Sequence, residues 1–102
     1  MSFSERDLEE AISNQLGRYV WGELSGYDGD NLSINGVDYT LEYVDADYGD
    51  YDYSSQMWVV FKVDGQAYRK TGYYQSHYGS EWDGPLEKVS PREVTRIEWD
   101  AL

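Results

Sequence analysis

The sequence predicts an α+β fold: an N-terminal helix packed on a five- or six-stranded antiparallel β-sheet, with scope for that sheet to curl into a partial barrel. Three observations predict it. Apolar residues near the N-terminus recur at helical spacing, whereas from about residue 18 onward they alternate. Two dipeptides suited to tight hairpins, Asn35-Gly36 and Asp64-Gly65, each join apolar runs. The 102 residues are 17% aromatic and include no cysteine, so the chain can bury one core without disulfide staples. A single domain over residues 1–102 is expected, with a helix over about residues 5–16 and an antiparallel sheet over about residues 18–100.

Ser4 followed by Asp7 is a capping box in its shorter-acid form. Asp7, Glu9 and Glu10 then crowd the first turns, where the helix dipole favours negative charge. Leu8, Ile12 and Leu16, with Ala11 beside them, make a narrow apolar stripe that Gly17 ends. Residues 19–24 read as a first strand running into a loop at Gly26 and Gly29. Asn35-Gly36 then turns residues 32–34 into residues 37–43, because both central residues of a type I′ turn need positive φ. In that second strand Val37, Tyr39, Leu41 and Tyr43 point one way and Asp38, Thr40 and Glu42 the other, the pattern of a sheet with one wet face.

Residues 45–55 read as a loop or a frayed extension of that strand. The most apolar run, residues 57–63, follows; Met57, Val59, Phe61 and Val63 are its core positions, and Asp64-Gly65 turns it into residues 66–73. Gly72, Gly79 and Gly84 punctuate a long irregular segment that Pro85 closes, and residues 93–99 are the last expected strand.

Charge carries the main functional clue. Twenty acids against 8 bases give a formal charge of −12, which repels nucleic acid and anionic lipid and attracts basic surfaces. The expected partner is therefore a basic protein, with no direct nucleic-acid ligand and no membrane. MSFSERDLEE has neither a basic n-region nor an apolar h-region, so a cytoplasmic location is expected. No cofactor is expected.

Much of the net negative charge falls in one block. Asp28, Asp30, Asp38, Glu42, Asp45, Asp47, Asp50 and Asp52 lie in a third of the chain without Lys or Arg, and Tyr48, Tyr51 and Tyr53 interleave with the last of them. Same-face positions of an extended chain recur about every 6.6 to 6.8 Å. Asp38 with Glu42, Asp45 with Asp47, and Asp50 with Asp52 can therefore line up as phosphates do along a nucleic-acid strand, the requirement for a nucleic-acid mimic. The competing reading is a solvated strand face that keeps a small protein soluble. A third is a calcium site built from Asp45, Asp47, Asp50 and Asp52 or from Asp28, Asp30 and Asn31, but the EF-hand spacing of Gly and Glu is missing, so no metal site is expected.

A second constellation, Tyr68, Tyr73, Tyr74, Tyr78 and Trp82, lies close in sequence to Arg69, Lys70 and His77. Aromatics beside cations can stack bases, although the net charge argues against nucleic acid and favours a protein interface formed by Tyr73, Tyr74, His77, Tyr78 and Trp82. His77 near Glu81 and Asp83 has the residue types of an acid–base pair. No nucleophile motif or oxyanion-type glycine loop frames it, so no enzymatic activity is expected.

Residues 59–84, with the pattern FKV-DG-xxYRKxGYY…YGSxWDG, and the following PLEKVSPREVTRIEW are similar to small tailed-bacteriophage proteins of no assigned activity. Such proteins include inhibitors of host defence, several of them acidic and DNA-like. The resemblance implies the cytoplasm of an infected bacterium and an anti-defence role. The leading expectation is thus a non-enzymatic phage inhibitor whose acidic surface occupies a basic nucleic-acid-binding site of a host nuclease or CRISPR-type complex. The alternative is a phage structural or interaction module using the Tyr/Trp surface, the acids only solubilising. Strand order, oligomeric state and partner identity are not legible in the sequence.

Overall fold

Six strands make a sheet only five strands wide in the computed structural model, which describes residues 3–17, 19–48, 55–75, 79–91 and 101. The strands are β1 (Asn31–Ile34), β2 (Val37–Asp47), β3 (Ser55–Val63), β4 (Gln66–Gln75), β5 (Gly79–Glu81) and β6 (Leu86–Val89). Pairing is antiparallel throughout, in the order β1-β2-β3-β4. β5 and β6 share the place beyond β4: β5 pairs with residues 73–75 and β6 with residues 67–70. The described strands do not close into a barrel.

Helix α1 (Glu5–Leu16) begins as its sequence dictates. Asp7 N–H donates to Ser4 Oγ at 3.1 Å, and Ser4 N–H donates back to Asp7 Oδ2 at 3.2 Å. Asn35, in the β1–β2 turn, also donates to Asp7 Oδ2, at 3.2 Å. Those bonds, led by the Ser4 backbone donor and then Asn35, hold the Asp7 carboxyl below its ordinary value. Leu8 and Ile12 are fully buried, each contributing about 1.5–3 kcal/mol of apolar transfer. Gly17 closes the helix at φ 100°, in the region open to glycine.

Residues 19–24 are not the expected strand. Val20–Tyr27 forms short 3-10 turns that meet at Glu23, whose φ of −133° departs from helical geometry. The physical reason is in the spacing of what is buried. Val20, Trp21 and Leu24 enter the core together, a one-sided set that an alternating strand would split between two faces.

Both hairpins form where expected, with Asn35 at φ 52° and Gly36 at 81°, and Asp64 at 54° and Gly65 at 76°. Met57, Val59, Phe61 and Val63 line the inner face; Val59, Phe61 and Val63, with Leu32, Ile34, Leu41, Tyr68 and Leu86, share one core cluster with residues of α1 and the 3-10 turns. β4 runs two residues beyond its expected end. β5 forms within the segment read as irregular and β6 directly after Pro85, where no strand is expected, while the strand expected at residues 93–99 lies outside the described residues.

Two irregularities shift the pairing register. Between Tyr43 and Asp45 of β2 it slips by one, so Val44 is an extra residue opposite β3. Between β5 and β6 it slips by two, and the connecting crimp brings Trp82 over Gly72 and Gly84 against Thr71. An odd insertion exchanges the two faces of a strand, and an even one preserves them.

Backbone groups on the β1 and β2 edges are occupied. Gln15 of α1 accepts from Ser33 N–H at 2.9 Å and donates to Ser33 O, engaging β1 as a neighbouring strand does. Along β2, Leu41 N–H donates to Asp30 O (2.9 Å), Tyr43 N–H to Asp28 Oδ1 (2.9 Å) and Ala46 N–H to Asp45 Oδ1 (2.8 Å).

Candidate functional site: an acidic strand beside an apolar groove

β2 carries the site, and the Val44 bulge decides which residues belong to it. Up to Tyr43 the odd-numbered residues face the core, with Leu41 fully buried and Asp38 and Glu42 exposed. Uninterrupted alternation would send Asp45 and Asp47 inward. The extra residue moves them out instead: Ala46 pairs with buried Val59 and packs on the core, while Asp45 and Asp47 stand beside Val60 and Trp58 on the outer face. Asp38, Glu42, Asp45 and Asp47 therefore share the face opposite α1. Nine residue steps separate the first from the last, roughly 30 Å of strand.

Not every acid of the block is on that row. Asp28 and Asp30 are exposed at the edge of β2, where the Asp28 carboxylate and the Asp30 carbonyl accept backbone hydrogen bonds. Asp45 likewise holds the Ala46 N–H. Part of the acidic block is thus structural. Tyr48 packs edge-on against Trp82 with ring centroids 6.1 Å apart. Asp50, Tyr51, Asp52 and Tyr53 lie outside the described residues. Among the described residues no group of three or more His, Asp or Glu side chains is placed to hold a metal ion.

The Tyr/Trp constellation does not assemble as one face. Tyr73 is exposed and pairs with Glu81, whereas its neighbour Tyr74 points to the opposite side of β4. Trp82 is half-buried against the core, and Tyr68 is buried, its hydroxyl pKa pushed up chiefly by that burial. Lys70 corrects the expectation most sharply. Far from offering a surface cation, it is 2% exposed, with Nζ 2.7 Å from Glu9 Oε1 and 2.7 Å from Gly84 O, and 5.5 Å from the centroid of the Trp21 ring. His77 and Tyr78 lie outside the described residues.

A feature absent from the sequence reading lies beside the acidic row. Val44, Trp58, Val60, Ala67, Val89 and Pro91 line a groove of about 530 Å³ on the outer face together with Asp45, Lys62, Arg69 and Ser90, Arg69 standing opposite Val60 and Lys62 opposite Ala67. Its signal was available in MWVVFKV, which is apolar at alternate and intervening positions and so marks a strand apolar on both faces. Arg69 Nη2 pairs with Glu87 Oε1 at 3.0 Å, and Lys62 stands opposite Glu42 in the register. Four β2 carboxylates outweigh these two cations, so the face is anionic around an apolar floor.

Among the described residues no helix is long and apolar enough to cross a membrane. Compared with known proteins, the chain matches no protein family, no curated protein and no solved structure.

Proposed function

We propose that this protein is a non-enzymatic binding protein that uses the outer face of β2 to occupy a basic, nucleic-acid-binding surface of another protein. The observation that carries the reading is the Val44 bulge, which puts Asp45 and Asp47 on the face already holding Asp38 and Glu42. The offset keeps both carboxylates out of the core and, by aligning them with Asp38 and Glu42, gathers on one face a row that charge dispersed over loops does not form. The row attracts a basic groove by the electrostatics that serve DNA, steering association and giving it a steep salt dependence. The similarity to tailed-phage proteins makes a host defence nuclease or CRISPR-type complex the proposed partner, and the infected bacterial cytoplasm the proposed setting.

The test uses Asp38→Asn, Glu42→Gln and Asp47→Asn together, sparing Asp28 and Asp45, whose carboxylates hold backbone. Wild-type protein immobilised against a bacterial lysate is expected to capture a basic protein that double-stranded DNA displaces. The triple variant is expected to lose that capture. Equal capture by both proteins, or a captured protein that DNA does not displace, removes the reading.

A further inference from the structure

We infer that the groove beside β2 seats apolar side chains presented by a basic segment of the partner protein, which makes the recognised element a lysine- or arginine-rich stretch interrupted by aliphatic residues. The inference rests on the proposed binding function and specifies what the partner must carry. It starts from an anomaly of the outer face. On a sheet covered on one side, the uncovered face is ordinarily polar, yet here Trp58 and Val60 of β3, Ala67 of β4 and Val89 of β6 line one groove, with Lys62 and Arg69 interposed. At about 530 Å³ the groove falls within the ~300–1,000 Å³ range of ligand sites and holds more than one side chain.

Charge complementarity selects the occupant. The register places Glu42, Asp45 and Asp47 beside Lys62, Val60 and Trp58, so the bank of the groove is the acidic row itself. Arg69 pairs with Glu87 through Nη2 and Lys62 stands opposite Glu42 in the register, so each cation within the groove has an acid beside it and the surrounding face is anionic. A segment with cations flanking aliphatic side chains satisfies both features at once. The division of labour is the usual one: exposed charge sets the rate of encounter, and a desolvated apolar anchor sets the lifetime of the complex.

Two synthetic peptides test this: a lysine-rich peptide with leucines at alternate central positions, and the same peptide with serine replacing each leucine. Titration calorimetry at several salt concentrations is expected to show both binding with a similar salt slope, the leucine peptide about tenfold tighter or more. Only the leucine peptide is expected to shift the Trp58 indole N–H resonance. Val60→Gln, which fills the groove without changing charge, is expected to abolish the tenfold difference and leave the salt slope intact; Val89→Gln serves the same purpose should Val60→Gln fail to fold. Equal affinity of the two peptides for the wild type overturns the groove while the acidic face stands. Binding of neither peptide overturns both.

Discussion

Lys70 and Glu9, 61 positions apart in the chain, meet at 2.7 Å beneath the helix, with the lysine buried and the glutamate partly exposed. Gly84 O and the Trp21 ring complete the cradle, so one cation ties α1, the 3-10 turns, β4 and the β5–β6 crimp.

Because the ammonium has left water, removing its carboxylate strands a charge, whereas removing the lysine releases Glu9 to solvent. Glu9→Ala is expected to cost on the order of 2–3 kcal/mol, the lower end for a broken buried pair given that Glu9 is 41% exposed. Lys70→Met, which keeps the packing volume, is expected to cost less. Urea denaturation of both variants measures the order; a costlier Lys70→Met contradicts it.

The Val44 bulge predicts the outcome of shortening β2. Deleting Val44, the extra residue, lets Asp45 follow Tyr43 directly, so alternation is unbroken and Asp45 and Asp47 stay beside Val60 and Trp58 on the outer face. No carboxylate turns inward, and Ala46 keeps its place against Val59. The deletion variant is therefore expected to remain folded by circular dichroism, as is Val44→Ala. An unfolded deletion variant beside a folded Val44→Ala contradicts the face assignment.

Gly72 and Gly84 are required by close approach. A Cβ on Gly72 meets Glu81 O at 2.5 Å, and one on Gly84 meets Thr71 Oγ1 and lies 2.7 Å from Thr71 O, both too near without a backbone shift. Gly72→Ala and Gly84→Ala are each expected to lose about 1–3 kcal/mol. Gly26, whose Cβ would meet nothing within 4 Å, is the control, and Gly26→Ala is expected to leave the melting temperature unchanged or slightly raised.

Asp7 gives the acid limb of stability a defined sign. Its folded-state pKa is depressed below 3.8, so its contribution is complete above that value and is lost as pH falls through the lower, folded-state pKa. The melting-temperature difference between wild type and Asp7→Ala is expected to be constant near neutrality and to shrink below about pH 4. A difference that grows on acidification reverses the assignment.

Local signals were legible in the chain. The Ser4–Asp7 capping box, the Asn35-Gly36 and Asp64-Gly65 turns, and the inward set Met57, Val59, Phe61 and Val63 each depend on residues within a few positions of one another. What escaped depends on partners distant in sequence. Lys70 looked like a surface cation because Glu9, Trp21 and Gly84 lie far from it along the chain. The bulge shows within β2 as a change of parity, the apolar positions passing from Tyr43 to Val44 and Ala46, but that Val44 is the extra residue is fixed only by pairing with β3. Residues 19–24 misled for a different reason: Tyr19, Val20 and Trp21 are strong strand formers, and the burial of Val20, Trp21 and Leu24 on one side overrode that preference.

The occupied β1 and β2 edges have a consequence for how this molecule behaves at high concentration. An open strand edge recruits another chain and seeds fibrils. Here the Gln15 amide sits on Ser33, while Asp28, Asp30 and Asp45 engage the Leu41, Tyr43 and Ala46 N–H groups. Those groups are closed to a second chain, which interrupts any template for cross-β growth along this side. A sheet rich in tyrosine and valine can thus remain dispersed while keeping its broad face open for recognition.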